Sequence, residues 1–385
     1  MQDRPLKIMQ IVTRLNTGGV AVLLIEFISA LKAQGHDVIT LCGQVAEDEG
    51  DMTDLARTKG LDPVMLNTMS RELSPYNDFK AFISIIKLIH QHRPDIVHTH
   101  TAKAGFVGRL AAWLMRVPVR IHSSHGHIFY GYFSPGKTRI FLWLERFGGW
   151  LSTWVVTASS LLRNELSQTY RVVPAQKIKV IPYGFNLTHL VDAKKNPDFR
   201  ANYNLPENAK LVGIVGRLVP IKNHRFFLNI AQDLAQRRAD VHFLIAGDGE
   251  CRSELEQQVK DLGLQGKVSF LGWVRQVETL LPELDALALT SENEGVAISL
   301  VEAMAAAIPV ISTAVGEVPN TLEHGNLGRL IEPGDHIAYA AALESILDGD
   351  HPDLEAVRKK VVAYYAIERQ IADFEALYYA ALENK

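Results

Sequence analysis

Cysteine is scarce: Cys42 and Cys251 are the only two in 385 residues, far apart and without metal-ligand spacing. That excludes a disulfide framework and fits a reducing compartment. No run of about 18 apolar residues exists for a membrane-spanning helix. The first residues, MQDRPLKIMQIVTRL, lack the basic segment leading into an apolar stretch that marks a secretory signal. Charge of one sign is not in excess either. A net −3 gives no global pull toward nucleic acid or an anionic membrane. These absences set the expectation of a cytoplasmic protein with, at most, a peripheral contact at the inner membrane face. With 47% hydrophobic and 22% charged residues, the chain is long enough for two domains, each with a full core.

The chain begins twice. Lys7 to Leu15 reads KIMQIVTRL and Lys210 to Leu218 reads KLVGIVGRL, an offset of 203. Second apolar strands start at Val38 and Val241, at the same offset, each after an Asp. Two matching strand–turn–helix–strand openings predict two doubly wound α/β domains. The boundaries are set at 1–187 and 188–363, with a polar linker from Asp192 to Pro197. The last helix, 364–385, has an apolar face of Ile367, Ile371, Phe374, Leu377, Tyr378 and Leu382 at helical spacing.

The densest chemistry lies in Leu289 to Thr313. An apolar strand (Ala286 to Leu289) leads into the polar turn Ser291-Glu292-Asn293-Glu294-Gly295. An alanine-rich helix follows from near Ser299; Pro309 ends it, and Val310-Ile311 start another strand. In one unbroken helix, Glu294 and Glu302 would stand roughly 80° apart. With a loop between them, both can face the ligand side of an open α/β sheet, beyond the strands' carboxyl ends. The plain alternative is a solvated Glu294 and a Glu302 that complements the helix dipole.

This Glu–seven residues–Glu stretch, with its Glu-Ala-Met-Ala and Pro-Val strand, resembles the signature of the retaining nucleotide-sugar glycosyltransferases of family four. The resemblance implies the GT-B fold: two facing Rossmann-like domains and a C-terminal helix that crosses back to the first. It further implies that Glu302 accepts hydrogen bonds from the donor's ribose, a role suited to a carboxylate with two acceptor oxygens and no donor. Glu294, Gly295 and Val296 then lie beside the donor sugar. In Gly216-Arg217-Leu218-Val219-Pro220-Ile221-Lys222, Arg217 and Lys222 hold the family's diphosphate-gripping places. Two fixed cations and a helix N-terminus can stabilise a leaving nucleoside diphosphate without metal. The only Asp-x-Asp, Asp348-Gly349-Asp350, is read as a turn. Ala246-Gly247-Asp248-Gly249-Glu250 resembles the family's Gly-Asp-Gly, and Trp273 and Val274 fall in the loop whose backbone meets the nucleobase. Ala307, where a Gly is usual, and Val296-Ala297 depart from the pattern and are expected beside the sugar.

In the first half, Gly18 and Gly19 form a strand-to-helix turn that lets backbone N–H groups approach an anion or sugar. The family has a glycine pair here, in contact with donor phosphate and sugar. His98 and His100 alternate on a strand and read as structural rather than metal ligands. Lys103 opposes the dipole at a helix start, which makes sense if an anion sits beside it, and so stands as an acceptor or phosphate candidate. His125, in a His-Gly after a strand, best resembles the family's sugar-facing histidine, with His127 as second candidate.

From Phe129 to Trp154 the chain carries nine aromatics, where the average would give about two. Core packing and a lipid interface share the explanation, the latter with Lys137, Arg139 and Arg146. The run Thr99 to Arg146 also resembles a polysaccharide-assembly subgroup of the family.

The expected function is a metal-independent, cofactor-free retaining transferase moving a sugar from a UDP-linked donor. Its expected acceptor is a glycan or polyprenyl-linked sugar in cell-surface polysaccharide or lipopolysaccharide assembly, with no nucleic acid as partner. The alternatives are a UDP-sugar epimerase or hydrolase of the same fold, and a non-catalytic sugar-nucleotide-binding module.

Overall fold

A computed structural model describes residues 4–17, 19–46, 50–126, 135–274 and 276–384. It divides into two units: residues 1–185 with 365–385, and residues 186–364. The first unit holds a seven-stranded parallel sheet ordered β3-β2-β1-β4-β5-β6-β7. Its strands are β1 (Lys7–Val12), β2 (Asp37–Gly43), β3 (Val64–Leu66), β4 (Ile96–His100), β5 (Val119–Ser124), β6 (Trp154–Thr157) and β7 (Ile178–Val180). The second unit has six parallel strands ordered β10-β9-β8-β11-β12-β13. These are β8 (Lys210–Val215), β9 (Val241–Ala246), β10 (Val268–Gly272), β11 (Ala286–Leu289), β12 (Val310–Thr313) and β13 (Arg329–Ile331).

Both sheets are buried on two faces, which is why their strands read as near-continuous apolar runs. In the first unit, Ile8 and Val12 of β1 join the core under the Gly19–Ala33 and Ile367–Glu383 helices. Met9 and Ile11, pointing the other way, join the core under the Pro75–His92 and Ala102–Leu114 helices. The same period-two rule puts Gln10 on the face of Ile8 and Val12, and His98 and His100 in line with Ile96. Each of these polar residues is at most 1% exposed.

The C-terminal region differs from the single helix expected from 364. One helix, Leu354–Tyr365, runs through the end of the second unit to the first residue of the returning segment, and a new one, Ile367–Glu383, starts after an extended Ala366. Its buried face comprises Ile367, Gln370, Ile371, Phe374, Leu377, Tyr378 and Ala381. The Pro135–Leu151 helix is locked to the Ala102–Leu114 helix by Arg109, 1% exposed, whose Nη2 donates to Glu145 Oε2 at 3.1 Å. Gly148 makes room for that guanidinium: a Cβ there would lie 2.6 Å from Arg109 Cζ.

Candidate active site

In the second unit the acidic stretch folds as strand β11, a loop, and the Ile298–Ala305 helix. Glu294 lies in the loop. Its Oε1 accepts from Lys222 Nζ at 2.6 Å and from Ser291 Oγ at 2.5 Å. The loop is braced from behind. Gly316, at φ +54°, comes so close that a Cβ would lie 2.0 Å from the Glu294 carbonyl oxygen, which also accepts from Glu317 N at 3.0 Å.

Glu302 is the fifth residue of its helix. Among the described residues its carboxylate has no hydrogen-bond or ion-pair partner. Burial, and then the charge of Glu278, push its pKa up to about 7. Glu278 itself lies 4.0 Å from His189 Nε2.

Lys222 closes the short Pro220–Lys222 turn after β8. Asn223 follows in the left-handed region, φ 50°, and its side chain caps Phe226 N at the start of the His224–Arg237 helix. Arg217, on the same β8-to-helix turn, is exposed, with no ion pair among the described residues. The site thus carries two cations, one of them already paired with Glu294. The sequence showed both cations but not that pairing, which runs through a contact 72 residues apart.

The Gly-Asp-Gly turn supports the Arg217 loop from the side. A Cβ on Gly247, φ +142°, would lie 1.9 Å from Gly216 O, and Leu218 N donates to Asp248 O at 3.0 Å. Trp273 is 60% exposed, just past β10, and Gly272 O accepts from Gly247 N at 2.8 Å. Ala307 is not where the departure from the family pattern suggested. It follows the C-terminus of the Ile298–Ala305 helix, the far end from Val296, and has φ +56°. The usual Gly there serves a left-handed helix end.

One residue escaped the sequence reading. His224, 2% exposed, starts the helix after Lys222, and neither ring nitrogen has a hydrogen-bond partner among the described residues. Burial and the Lys222 charge lower its pKa to about 4. Its place two residues after Lys222 was the available signal.

In the first unit His125 sits past the end of β5. Its Nε2 is 3.1 Å from His100 Nδ1 and its Nδ1 is 2.8 Å from the Tyr183 hydroxyl. Burial lowers its pKa to about 4. Both ring nitrogens thus have partners within the first unit. His98 and His100 are wholly buried in the same network.

Lys103, with a side chain 10% exposed, is paired within the chain: its ammonium lies 2.6 Å from Asp78 Oδ1 and also donates to the Glu72 carbonyl. Gly19 opens the Gly19–Ala33 helix; Gly18 and His127 lie outside the described residues.

The aromatic stretch divides. Phe141 joins a small core with Val155 and Leu166. Ile140, Trp143 and Trp150 are exposed by 61%, 62% and 61%. Phe147 stacks on both tryptophans, with ring centroids 6.0 and 5.8 Å apart. Arg146 donates to the carbonyls of Tyr170 and Arg171, so it braces a loop; Arg139 is exposed. Phe129, Tyr130, Tyr132, Phe133 and the Lys137 side chain lie outside the described residues. No described helix is long and apolar enough to cross a membrane.

Two Rossmann-like units with strand order 3-2-1-4-5-6 at the core of each sheet, and a cationic turn facing a paired glutamate, define a GT-B glycosyltransferase. Residues 17–189 match the family model described as Glycosyltransferase Family 4, and residues 195–363 the model described as Glycosyl transferases group 1. The chain belongs to glycosyltransferase family four. It is 28% identical over 378 residues, 95% of either chain, to the UDP-Gal:alpha-D-GlcNAc-diphosphoundecaprenol alpha-1,3-galactosyltransferase of Escherichia coli. It is 26% identical over 350 residues, 90% of either chain, to a GalNAc-alpha-(1->4)-GalNAc-alpha-(1->3)-diNAcBac-PP-undecaprenol alpha-1,4-N-acetyl-D-galactosaminyltransferase of Campylobacter jejuni. Among solved structures, Anabaena HepE in complex with UDP and glucose superposes with a TM-score of 0.78 at 21% identity, covering 97% of this chain and 99% of that one.

Proposed function

We propose that this glycosyltransferase moves a sugar from a UDP-sugar, with retention at the anomeric carbon, onto a sugar carried on a polyprenyl diphosphate. The observation that carries the reading is Glu302: a largely buried carboxylate with no partner among the described residues, on the unit that bears Arg217 and Lys222. A ribose diol supplies the two donors that this carboxylate lacks. Arg217, Lys222 and the N-terminus of the His224–Arg237 helix stabilise the charge that grows on the departing diphosphate. Trp273 and Val274 border the nucleobase, and Gly295 and Val296 the sugar.

Glu294 is tied to Lys222 and Ser291, which makes it a poor general base. That favours removal of the acceptor's proton by the leaving phosphate oxygen on the same face, the retaining outcome. His125, Gly18 and Gly19 are assigned to the donor sugar by family resemblance. No cofactor and no metal enters this scheme. The donor and acceptor classes draw support from the Escherichia coli and Campylobacter relatives, whose names specify undecaprenol-linked acceptors. The exposed Ile140, Trp143 and Trp150 support a peripheral contact with the bilayer holding such an acceptor.

The test is UDP release from a panel of UDP-sugars in EDTA, with and without a polyprenyl-diphosphate-linked N-acetylglucosamine. Release is expected only with acceptor, and Arg217→Ala is expected to lower turnover by about 10²–10³-fold. Equal release without acceptor would make the protein a hydrolase. Activity restored only by Mg²⁺ or Mn²⁺ would overturn the cationic clamp.

A further inference from the structure

The cationic turn of the second unit already holds an anion of the chain's own. Lys222 Nζ and Ser291 Oγ both donate to one oxygen of Glu294, Oε1, at 2.6 and 2.5 Å. Oε2 has no partner among the described residues, although the Glu294 side chain is only 9% exposed. The lysine stem runs along the turn after β8: a Cβ on Gly216 would lie 3.8 Å from Lys222 Cε. The ammonium therefore stands between the Gly216-Arg217 turn and Glu294, two residues before the His224–Arg237 helix. Two cations at a helix N-terminus attract a phosphoryl anion on physical grounds alone. Here that anion meets a competitor.

The backbones take no part in the competition. Glu292 N donates to Ile221 O at 2.8 Å, and Thr290 Oγ1 donates to the carbonyls of Lys222 and Asn223 at 3.2 and 3.1 Å. The two loops are stitched together, and exchange is left to the four-carbon lysine stem. When Nζ turns to a phosphate oxygen, the Glu294 carboxylate stays behind with Ser291 as its donor. A carboxylate largely out of water and short of donors is unfavourable. An ionised phosphate brings no donor; a sugar hydroxyl does.

We infer that Glu294 is a specificity-determining residue that serves as an internal anion: it holds Lys222 until a diphosphate displaces it, and it favours a diphosphate that carries a sugar over one that has lost it. The inference rests on the proposed UDP-sugar reading of this site. The benefit falls at product release. Once the sugar has left, Glu294 has no hydroxyl to accept from and reclaims Lys222, which weakens the hold on UDP.

The experiment is calorimetric titration of the full chain and its Glu294→Gln variant with uridine, UDP and the best-bound of a panel of UDP-sugars. Gln keeps the size and an acceptor for Ser291 but not the charge that holds Lys222. Wild type is expected to bind the UDP-sugar more tightly than UDP. Glu294→Gln is expected to bind UDP about three- to tenfold more tightly than wild type, because Lys222 is then free. Its uridine affinity is expected to stay within about twofold, because uridine brings no anion to compete. The variant's preference for UDP-sugar over UDP is expected to shrink or reverse. Glu294→Asp, which draws the carboxylate back from Lys222 and keeps its charge, is expected to bind UDP with an affinity between the two.

UDP affinity that fell or stayed level in a folded Glu294→Gln, with uridine unmoved, would show that Glu294 props Lys222 up for the phosphate, and would overturn the inference. So would a wild type that bound UDP and every UDP-sugar alike. A variant loop that had lost its fold would weaken uridine as well, and the Glu294→Asp titration would then decide. If wild type bound neither uridine nor UDP, the nucleotide reading itself would fail and the internal anion with it.

Discussion

A carboxyl group buried without a donor resists ionisation, and Glu302 is held near pKa 7 for that reason. Its folded pKa lies above the ordinary 4.5, so the native state keeps a proton that the unfolded chain loses between those values. Glu302 therefore costs stability as pH rises from 4.5 toward 7, and ribose binding favours the ionised form. UDP affinity measured by calorimetry should weaken as pH falls from 8 to 6, and Glu302→Gln should flatten that dependence while binding more weakly throughout. A dependence equally steep in the variant would remove Glu302 from the ribose site. At this scale the sequence was legible in part. The Arg, Lys and two Glu stood out by type and spacing. What they touch did not, because partners such as Lys103 and Asp78 are 25 residues apart in chain and meet only through helix packing.

Helix ends explain positions that motif comparison misassigns. Ala307 holds φ +56° after the Ile298–Ala305 helix, where an L side chain costs about 1–2 kcal/mol and a glycine gives back roughly 0.5–1 kcal/mol in chain entropy. Ala307→Gly should therefore raise the Tm of the second unit by a degree or two, read by calorimetry, without altering donor KM. A change in donor preference would put Ala307 back beside the sugar. The Pro135–Leu151 helix carries the second prediction at this scale. Trp143 and Trp150 lie at i and i+7, exposed on one helix beside Trp113, whose ring is 5.9 Å from that of Trp150. Trp143→Ala/Trp150→Ala should abolish flotation with anionic liposomes and leave thermal stability nearly unchanged. Equal flotation by the variant would show that this face does not meet lipid. The aromatic excess was visible in sequence. Which rings are buried was not, since Phe141 and Trp143 are two residues apart on one helix and differ only in what packs over them.

Each unit closes a core of its own. Calorimetry should resolve two transitions, and UDP at 100 times its dissociation constant should raise only the second unit's, by about 2.7 kcal/mol. A single transition shifted as a whole would contradict that assignment of the nucleotide. The doubled opening of the sequence does correspond to a doubled strand order, 3-2-1-4-5-6 in each sheet. The match stops short of register. Lys7 lies opposite Asp37, but Lys210 lies opposite Val241, one place beyond Asp240. Register depends on how each helix seats its crossover, and no offset in the sequence encodes it.

The Ile367–Glu383 helix completes the first unit's core although more than a hundred and seventy residues of the second unit intervene. During synthesis the first sheet can assemble early, but Tyr378, which fixes His98, arrives only after the whole second unit has been made. The nascent first unit must wait with Phe27 and the histidine face uncovered, so the second unit is the one able to reach its finished form first. The order of completion runs opposite to the order of translation.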